Sequence, residues 1–295
     1  MIRYDITETE LRARIDRQKA DWETRAASAT ALYRRAGKYG EPDDKNWDAE
    51  TRGVPPSPFW GQIKAVYMKL QKNKCAFCER ELTTRPKDHD IEHFRPKRGV
   101  VSWPSLPMDP VFPEGYYLLA YHPLNYATAC EHCNRGLKQS YFPIEDVRLS
   151  GQDDPVRLRP ERPLLIYPIG DIDTDPEDLL GFQGVVPVPK HADPKSRECR
   201  RAQVTIEFFG LSEREELRRG RAKVIRTLYL AFMTENSPQR EEREGAQSAI
   251  AQCVSDGSEH ANCSRCFVAL YRQDPAEAEQ FGRLAIASLH ESSPA

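Results

Sequence analysis

Two close cysteine pairs, Cys75-x2-Cys78 and Cys130-x2-Cys133, are the residues most suited by type and spacing to do chemistry. A Cys-x2-Cys turn lets two sulfurs converge on one ion at about 2.3 Å, and two such turns close a tetrahedron. Four thiolates leave no open position, so the zinc they imply is structural. The pairs stand 51 residues apart, which places an insert between them. The insert carries Asp90-Ile91-Glu92-His93-Phe94-Arg95-Pro96. A carboxylate there can hold a hard cation, and an imidazole with a pKa of about 6.5 can take a proton from water. If the stretch is extended, Asp90, Glu92 and Phe94 share one face. Asp90 then reads either as an extra ligand or as a residue supporting one. Asn134 directly follows the second pair. If Asn134 opens a helix, Lys138 lies one turn on along the same face. The zinc turn would thus aim an amide oxygen at the strand bearing Glu92 and His93, where a second, catalytic ion could sit.

The combined pattern Cys-x2-Cys, Glu92-His93-x2-Pro96, then Asn125-x4-Cys130-x2-Cys133-Asn134-x3-Lys138 resembles the HNH nuclease motif, the ββα-metal fold. The motif covers about 65 residues, and several agreeing features make it more specific than one short pattern. The resemblance implies that Glu92 is the acidic metal ligand and His93 the general base. It implies that Asn125 braces the histidine-bearing loop and that Asn134 is the second metal ligand. Lys138 falls where a further histidine often sits, and a phosphate contact is its expected role. The catalytic cation implied is Mg2+ or Mn2+. Lys74-Cys75-Ala76-Phe77-Cys78-Glu79, the Asp90–Lys97 stretch and Phe142-Pro143 are further similar to the retron-associated HNH family, which includes the nuclease subunit of Septu anti-phage systems. So are Arg162-Pro163-Leu164-Leu165-Ile166-Tyr167-Pro168 and Thr205-Ile206-Glu207-Phe208-Phe209-Gly210-Leu211. That resemblance implies DNA as substrate, a role in defence and an ATPase partner.

Arg95, Lys97 and Arg98, with Arg85 and Lys87, form a basic stretch over 85–98. Arg95 and Lys97 are the expected contacts to a nucleic-acid backbone; a solvated charged loop is the competing reading. Cys253-x6-His260-x2-Cys263-x2-Cys266 offers a second zinc set. Against it, Cys263 and Cys266 would open a helix running into Phe267, Val268, Leu270 and Tyr271. Cys199 reads as a buried thiol.

These groups need elements to hold them. Residues 7–36 predict one helix: Thr7 and Glu10 fit a capping box, and Leu11, Ile15, Trp22, Ala26, Ala29 and Tyr33 fall on one stripe. Gly37, Gly40 and Pro42 end it. A second helix is expected over about 58–72. Residues 97–114 are interrupted by prolines and predict an insertion loop. Pro163–Pro168 and Val185–Val188 are short strand candidates, and the chain is helical from about 195. Residues 195–226 hold ten Lys or Arg against five acids, 10 − 5 = +5, which reads as a solvated helix face or a phosphate-facing surface.

The expected organisation is an α+β chain in three blocks. Residues 1–72 form an N-terminal helical region, 73–143 the HNH module, a ββα-metal core stapled by a four-cysteine zinc site, and 144–295 a mostly helical region with short strands. Terminal apolar residues, Trp22 and Tyr33 early and Phe281, Leu284, Ile286 and Leu289 late, pack internally or against a partner. The chain of 295 residues has 43 Lys plus Arg and 45 Asp plus Glu, 43 − 45 = −2. That balance gives no global attraction for nucleic acid, so binding must come from a local patch. No run approaches the roughly 18 apolar residues of a spanning helix. Met1-Ile2-Arg3-Tyr4-Asp5 lacks an apolar signal core, so a cytoplasmic protein is expected. The alternative function is a non-catalytic, zinc-stapled nucleic-acid-binding or scaffold subunit.

Overall fold

The computed structural model describes residues 1–83, 85–106 and 110–291. It mixes helices with two small sheets. Contacts divide it into two interleaved units: residues 4–71 with 82–174, and residues 1–3 and 72–81 with 175–295. This division follows tertiary contact, whereas the three consecutive blocks follow composition.

In the first of these units, Thr7 caps helix α1 (Glu8–Gln18) through the expected reciprocal box with Glu10. The predicted single helix is broken. α1 ends at Gln18 and α2 (Trp22–Ala36) begins after a turn at residues 19–21. The apolar stripe survives the break: Leu11, Ile15, Trp22 and Tyr33 are all fully buried. A straight helix over 7–36 would be about 45 Å long, too long to bury both halves in one small core. After the one-turn helix α3 (Ala49–Arg52) comes α4 (Lys64–Leu70), and the turn lets α1 pack on α4 while α2 packs on the turn at Tyr117–Leu119. Trp22 sets its ring edge-on to Phe59, Tyr121 and Tyr126 at 5.9–6.4 Å. Trp22 and Tyr33 are thus core residues of this unit and offer nothing to a partner. Gly37, at φ 69°, closes α2 in the left-handed conformation that favours glycine.

Strands β1 (His89–His93) and β2 (Tyr126–Cys130) pair antiparallel, with His93 opposite Tyr126, Glu92 opposite Ala127 and His89 opposite Cys130. A short helix, His132–Lys138, follows β2 directly. It is wound as a π-helix, with the Gln139 N–H bonding the Asn134 carbonyl at 2.9 Å. Leu164, Leu165, Ile166 and Tyr167 are buried, but they form no ladder. The flanking prolines remove donors, and the stretch serves as core: Tyr167 donates its hydroxyl to the Tyr126 carbonyl and packs on Phe94. Within the proline-rich loop, Val100 and Phe112 exchange backbone hydrogen bonds of 2.8 and 2.9 Å; residues 107–109 of that loop lie outside the described residues.

The second unit contains the short helix α5 (Pro176–Leu179), the hairpin of β3 (Leu180–Gln183) and β4 (Val186–Pro189), the latter near its predicted place, and helices α6 (Arg197–Phe208), α7 (Glu215–Thr234), α8 (Arg240–Val254), α9 (Ala261–Gln273) and α10 (Pro275–Glu291). Ile225, Leu228, Phe232, Ile250 and Phe267 form its core with Cys253 and Cys263. The basic run over 195–226 is not simply solvated: Arg201, Arg214 and Arg221 are buried. Among the described residues no helix is long and apolar enough to cross a membrane.

Acid should loosen this fold. Burial pushes the pKa of His122 down to about 4 and that of His260 down to about 3. The unfolded chain therefore takes up protons near pH 6.5 that the folded chain refuses. Stability is fully present above pH 6.5 and falls as pH drops, by about 1.4 kcal/mol per pH unit for each such histidine. Urea titrations from pH 7 to pH 4.5 should show a steadily falling midpoint, and a flat profile would contradict this burial.

Candidate functional site

Cys75 and Cys78 lie on a tight turn between Lys74 and Glu81, which pair in a β-bridge. The Cys75 N–H bonds the Arg80 carbonyl at 2.9 Å, and the Glu79 N–H bonds the Cys75 carbonyl at 3.1 Å. Lys72, Asn73 and Glu79 take φ values of 53°, 57° and 60° to make the turn. Cys130 ends β2, and Cys133 lies in the first turn of the following helix. All four cysteines are buried, and their sulfurs lie within 4.8 Å of one another. Zn–S bonds of about 2.3 Å place tetrahedral sulfurs about 3.8 Å apart, so this all-thiolate set fits zinc. The buried cluster could hold a zinc ion.

Among the described residues no comparable group forms around Cys253, His260, Cys263 and Cys266. Cys263 and Cys266 open α9, as the competing reading held. The Cys263 thiol faces the Gly184 carbonyl at 3.5 Å, and the Cys266 thiol faces Asn262 Oδ1 at 3.3 Å. Cys199 is buried in α6.

The second cluster lines a cleft of about 530 Å³ in the unit that holds β1 and β2. β1 contributes Asp90, Glu92 and His93, the segment after it Lys97 and Arg98, and the π-helix Asn134. His93 is 6% exposed, and its Nε2 lies 3.0 Å from the Ala120 carbonyl oxygen. A carbonyl only accepts, so Nε2 carries the proton and Nδ1 keeps a lone pair. The rings of Trp60 and Tyr126 stand edge-on to the imidazole at 4.8 and 5.0 Å. Burial first, and the nearby Lys97 second, hold the His93 pKa well below its usual value. The neutral imidazole is therefore the resting form.

Asn125 fixes the turn that leaves β1. Its Oδ1 accepts from the Arg95 N–H at 2.8 Å, and its Nδ2 donates to the Arg95 and Leu119 carbonyls at 3.0 and 3.2 Å. The Phe94 N–H bonds the Asn125 carbonyl at 2.8 Å. Because Asn125 is 1% exposed, Asn125→Leu takes the side-chain partner from both the Arg95 N–H and the Arg95 carbonyl, while the Leu119 carbonyl keeps the His122 N–H at 3.2 Å. We expect it to cost about 2–6 kcal/mol, at about 1–3 kcal/mol for each of these two groups, read as a shift in urea unfolding.

Three expected roles meet a different geometry. Lys138 is fully buried, not on the open face, and its Nζ lies 3.4 Å from Glu92 Oε1. The expectation assumed an α-helix opening at Asn134. The helix opens at His132 and is wound wider, which turns Lys138 inward while Asn134 stays on the cleft. Arg95 is 4% exposed and bound to Glu161 and to the Leu158 carbonyl, with Phe142 and Tyr116 beside its guanidinium. It is a core cation with no free edge for phosphate. Asp90 pairs with Arg135 at the cleft mouth. Lys97 does line the cleft, with its ammonium 4.4 Å from the Trp60 ring centroid.

Trp60 and Lys64 also line the cleft and were not singled out in the sequence. Lys64 donates to the His89 carbonyl at 3.0 Å. The one available signal was their position on the predicted helix just before the cysteine pair, which does not reveal what that helix faces.

Glu92 is 6% exposed; burial raises its pKa, and Lys138 and then Lys97 oppose the rise. Carboxylate and amide oxygens from Glu92 and Asn134, beside Asp90, are hard donors facing a wet cleft. Such a set suits a cation that keeps several waters, as Mg2+ does.

The chain is similar to the Septu protein PtuB of Bacillus mycoides (strain KBAB4), with 29% identity over 174 residues, 57% of this chain and 52% of that protein. It thus spans about half the length of this curated relative. No family model and no solved structure matches the chain.

Proposed function

We propose that the chain is a metal-dependent HNH endonuclease that hydrolyses phosphodiester bonds of DNA. In this reading β1, β2 and the His132–Lys138 helix are the ββα-metal core. The observation that carries it is the joint placement of Glu92, His93 and Asn134 on one cleft, with His93 held through Nε2. A binding or scaffold protein has no need of a neutral, anchored imidazole beside a carboxylate.

His93 Nδ1 would take the proton of the attacking water. Asn125 would keep β1 and the following turn in place while it does so. Glu92 and Asn134 would hold the Mg2+ or Mn2+ ion, which supplies charge neutralisation at the scissile phosphate and the departing oxygen. Lys97, Arg98, Lys64 and Arg135, which all line the cleft, would meet the flanking phosphates. Zinc at the four cysteines would fix the end of β2 and the start of the helix that carries Asn134.

Similarity to a Septu protein supports a place for this chain in anti-phage defence, as the effector subunit beside an ATPase. Trp22 and Tyr33 take no part in that association, being buried. Leu284 on α10, 64% exposed, remains available to it.

The test is conversion of supercoiled plasmid to nicked or linear DNA by the full chain, alone and with the co-expressed ATPase. Cleavage should require added Mg2+ or Mn2+ and stop with chelator. Absence of cleavage in every arm, with zinc bound and the protein folded, would favour the binding-module reading.

A further inference from the structure

Lys138 is fully buried and lies against a carboxylate of the cleft. Its Nζ is 3.4 Å from Glu92 Oε1, and the Phe142 ring centroid is 5.6 Å away. Among the described residues Nζ makes no hydrogen bond of ordinary geometry. A lysine side chain brings three donors, and burying them unsatisfied is unfavourable. A methionine would fill the same space without that penalty. The salt bridge to Glu92 is what an apolar side chain could not supply.

One helix reaches both candidate ligands of the cation. The π-helix His132–Lys138 carries Asn134, which lines the cleft beside Glu92. Its winding is held by the Gln139 N–H on the Asn134 carbonyl and the Tyr141 N–H on the Lys138 carbonyl, each at 2.9 Å. The backbone of Glu92 is fixed in β1, opposite Ala127, but its carboxylate is free to turn about the side-chain bonds. Lys97 and Arg98 line the same cleft and compete for it. A cation set against Oε1 from the buried side opposes that turn. The same cation also repels an incoming metal ion. Orientation outweighs repulsion here, because Mg2+ demands near-octahedral geometry and a carboxylate turned away forfeits one of the chain's two ligands.

We propose that Lys138 is a positioning residue for the catalytic cation, holding Glu92 through Oε1 so that one helix orients both ligands, Asn134 by carrying it and Glu92 through this salt bridge. The proposal rests on the reading of Glu92 and Asn134 as the metal ligands of a nuclease. It assigns Lys138 no contact with substrate or with the ion.

The test is Mn2+ binding by the full chain, read from the paramagnetic resonance signal of free Mn2+. Wild type, Lys138→Met, Glu92→Gln and the double variant are compared, with circular dichroism and urea unfolding alongside. Lys138→Met should weaken Mn2+ binding by about 10–100-fold, the usual effect of removing a group that orients a ligand, and its cleavage should recover as Mn2+ is raised. In the Glu92→Gln background the same substitution should change binding by less than about threefold, since the residue acts through Glu92. The double variant should also unfold at higher urea than Lys138→Met, which leaves the carboxylate facing an apolar wall. If Lys138→Met does not fold and the double variant does, the dependence of one residue on the other is met in another form. If both fail to fold alike, Lys138 serves the fold alone and the proposal is overturned. Unchanged or tighter Mn2+ binding by folded Lys138→Met overturns it too, and leaves the nuclease reading intact. A wild-type chain that neither binds Mn2+ nor cleaves DNA ends that reading and the proposal with it.

Discussion

His93→Ala should abolish metal-dependent plasmid cleavage while leaving zinc content and the unfolding midpoint close to wild type. A positioned base contributes about 10²–10⁴ in rate, and among the described residues no second imidazole lines the cleft to replace it. The packing loss is modest, because His93 sits among ring edges on a cleft wall and gives up one hydrogen bond, to the Ala120 carbonyl. Supercoiled-plasmid assays, run beside metal analysis and circular dichroism, separate lost chemistry from lost fold. Undiminished cleavage by His93→Ala would end the HNH assignment.

Cys75→Ser and Cys130→Ser should behave in the opposite way, with the fold itself lost. The sulfurs approach within 4.8 Å inside the protein, so without metal the thiolates would repel or be forced to protonate. Binding free energy at such a centre is folding free energy, about 10–16 kcal/mol in small zinc domains, as large as the whole net stability of about 5–15 kcal/mol of a typical protein. Either variant should express as aggregate or as zinc-free, protease-sensitive chain. A zinc-free preparation that unfolds cooperatively at the wild-type midpoint would refute a structural metal.

The sequence made local features legible. Thr7 and Glu10 announce a cap because both partners lie within one turn, and the Cys-x2-Cys pairs announce convergent sulfurs for the same reason. Features set by tertiary contact stayed hidden. The turn at residues 19–21 interrupts an unbroken apolar stripe, and only the packing of α1 and α2 on different neighbours requires it. Arg95 looked like a phosphate contact because its partner Glu161 is 66 residues away. Lys138 looked accessible because helical spacing was assumed to be α, and one wider turn buries it against Glu92. Three arginines of the basic run between residues 195 and 226 are buried, which charge counting along the chain cannot reveal.

The interleaving of the two units sets an order of events on the ribosome. Residues 72–81 leave the exit tunnel well before the segment from 175 onward against which they pack. At about 5–20 residues per second, the intervening stretch takes on the order of 5–20 s to synthesise. During that interval Cys75 and Cys78 are reduced, solvent-accessible thiols, and Phe77 between them lacks the Phe209 ring that later stacks on it. Nascent chains are therefore most open to oxidation and to capture of the wrong metal in this window. Cells starved of zinc should accumulate defective protein during synthesis, whereas chains completed beforehand should be spared.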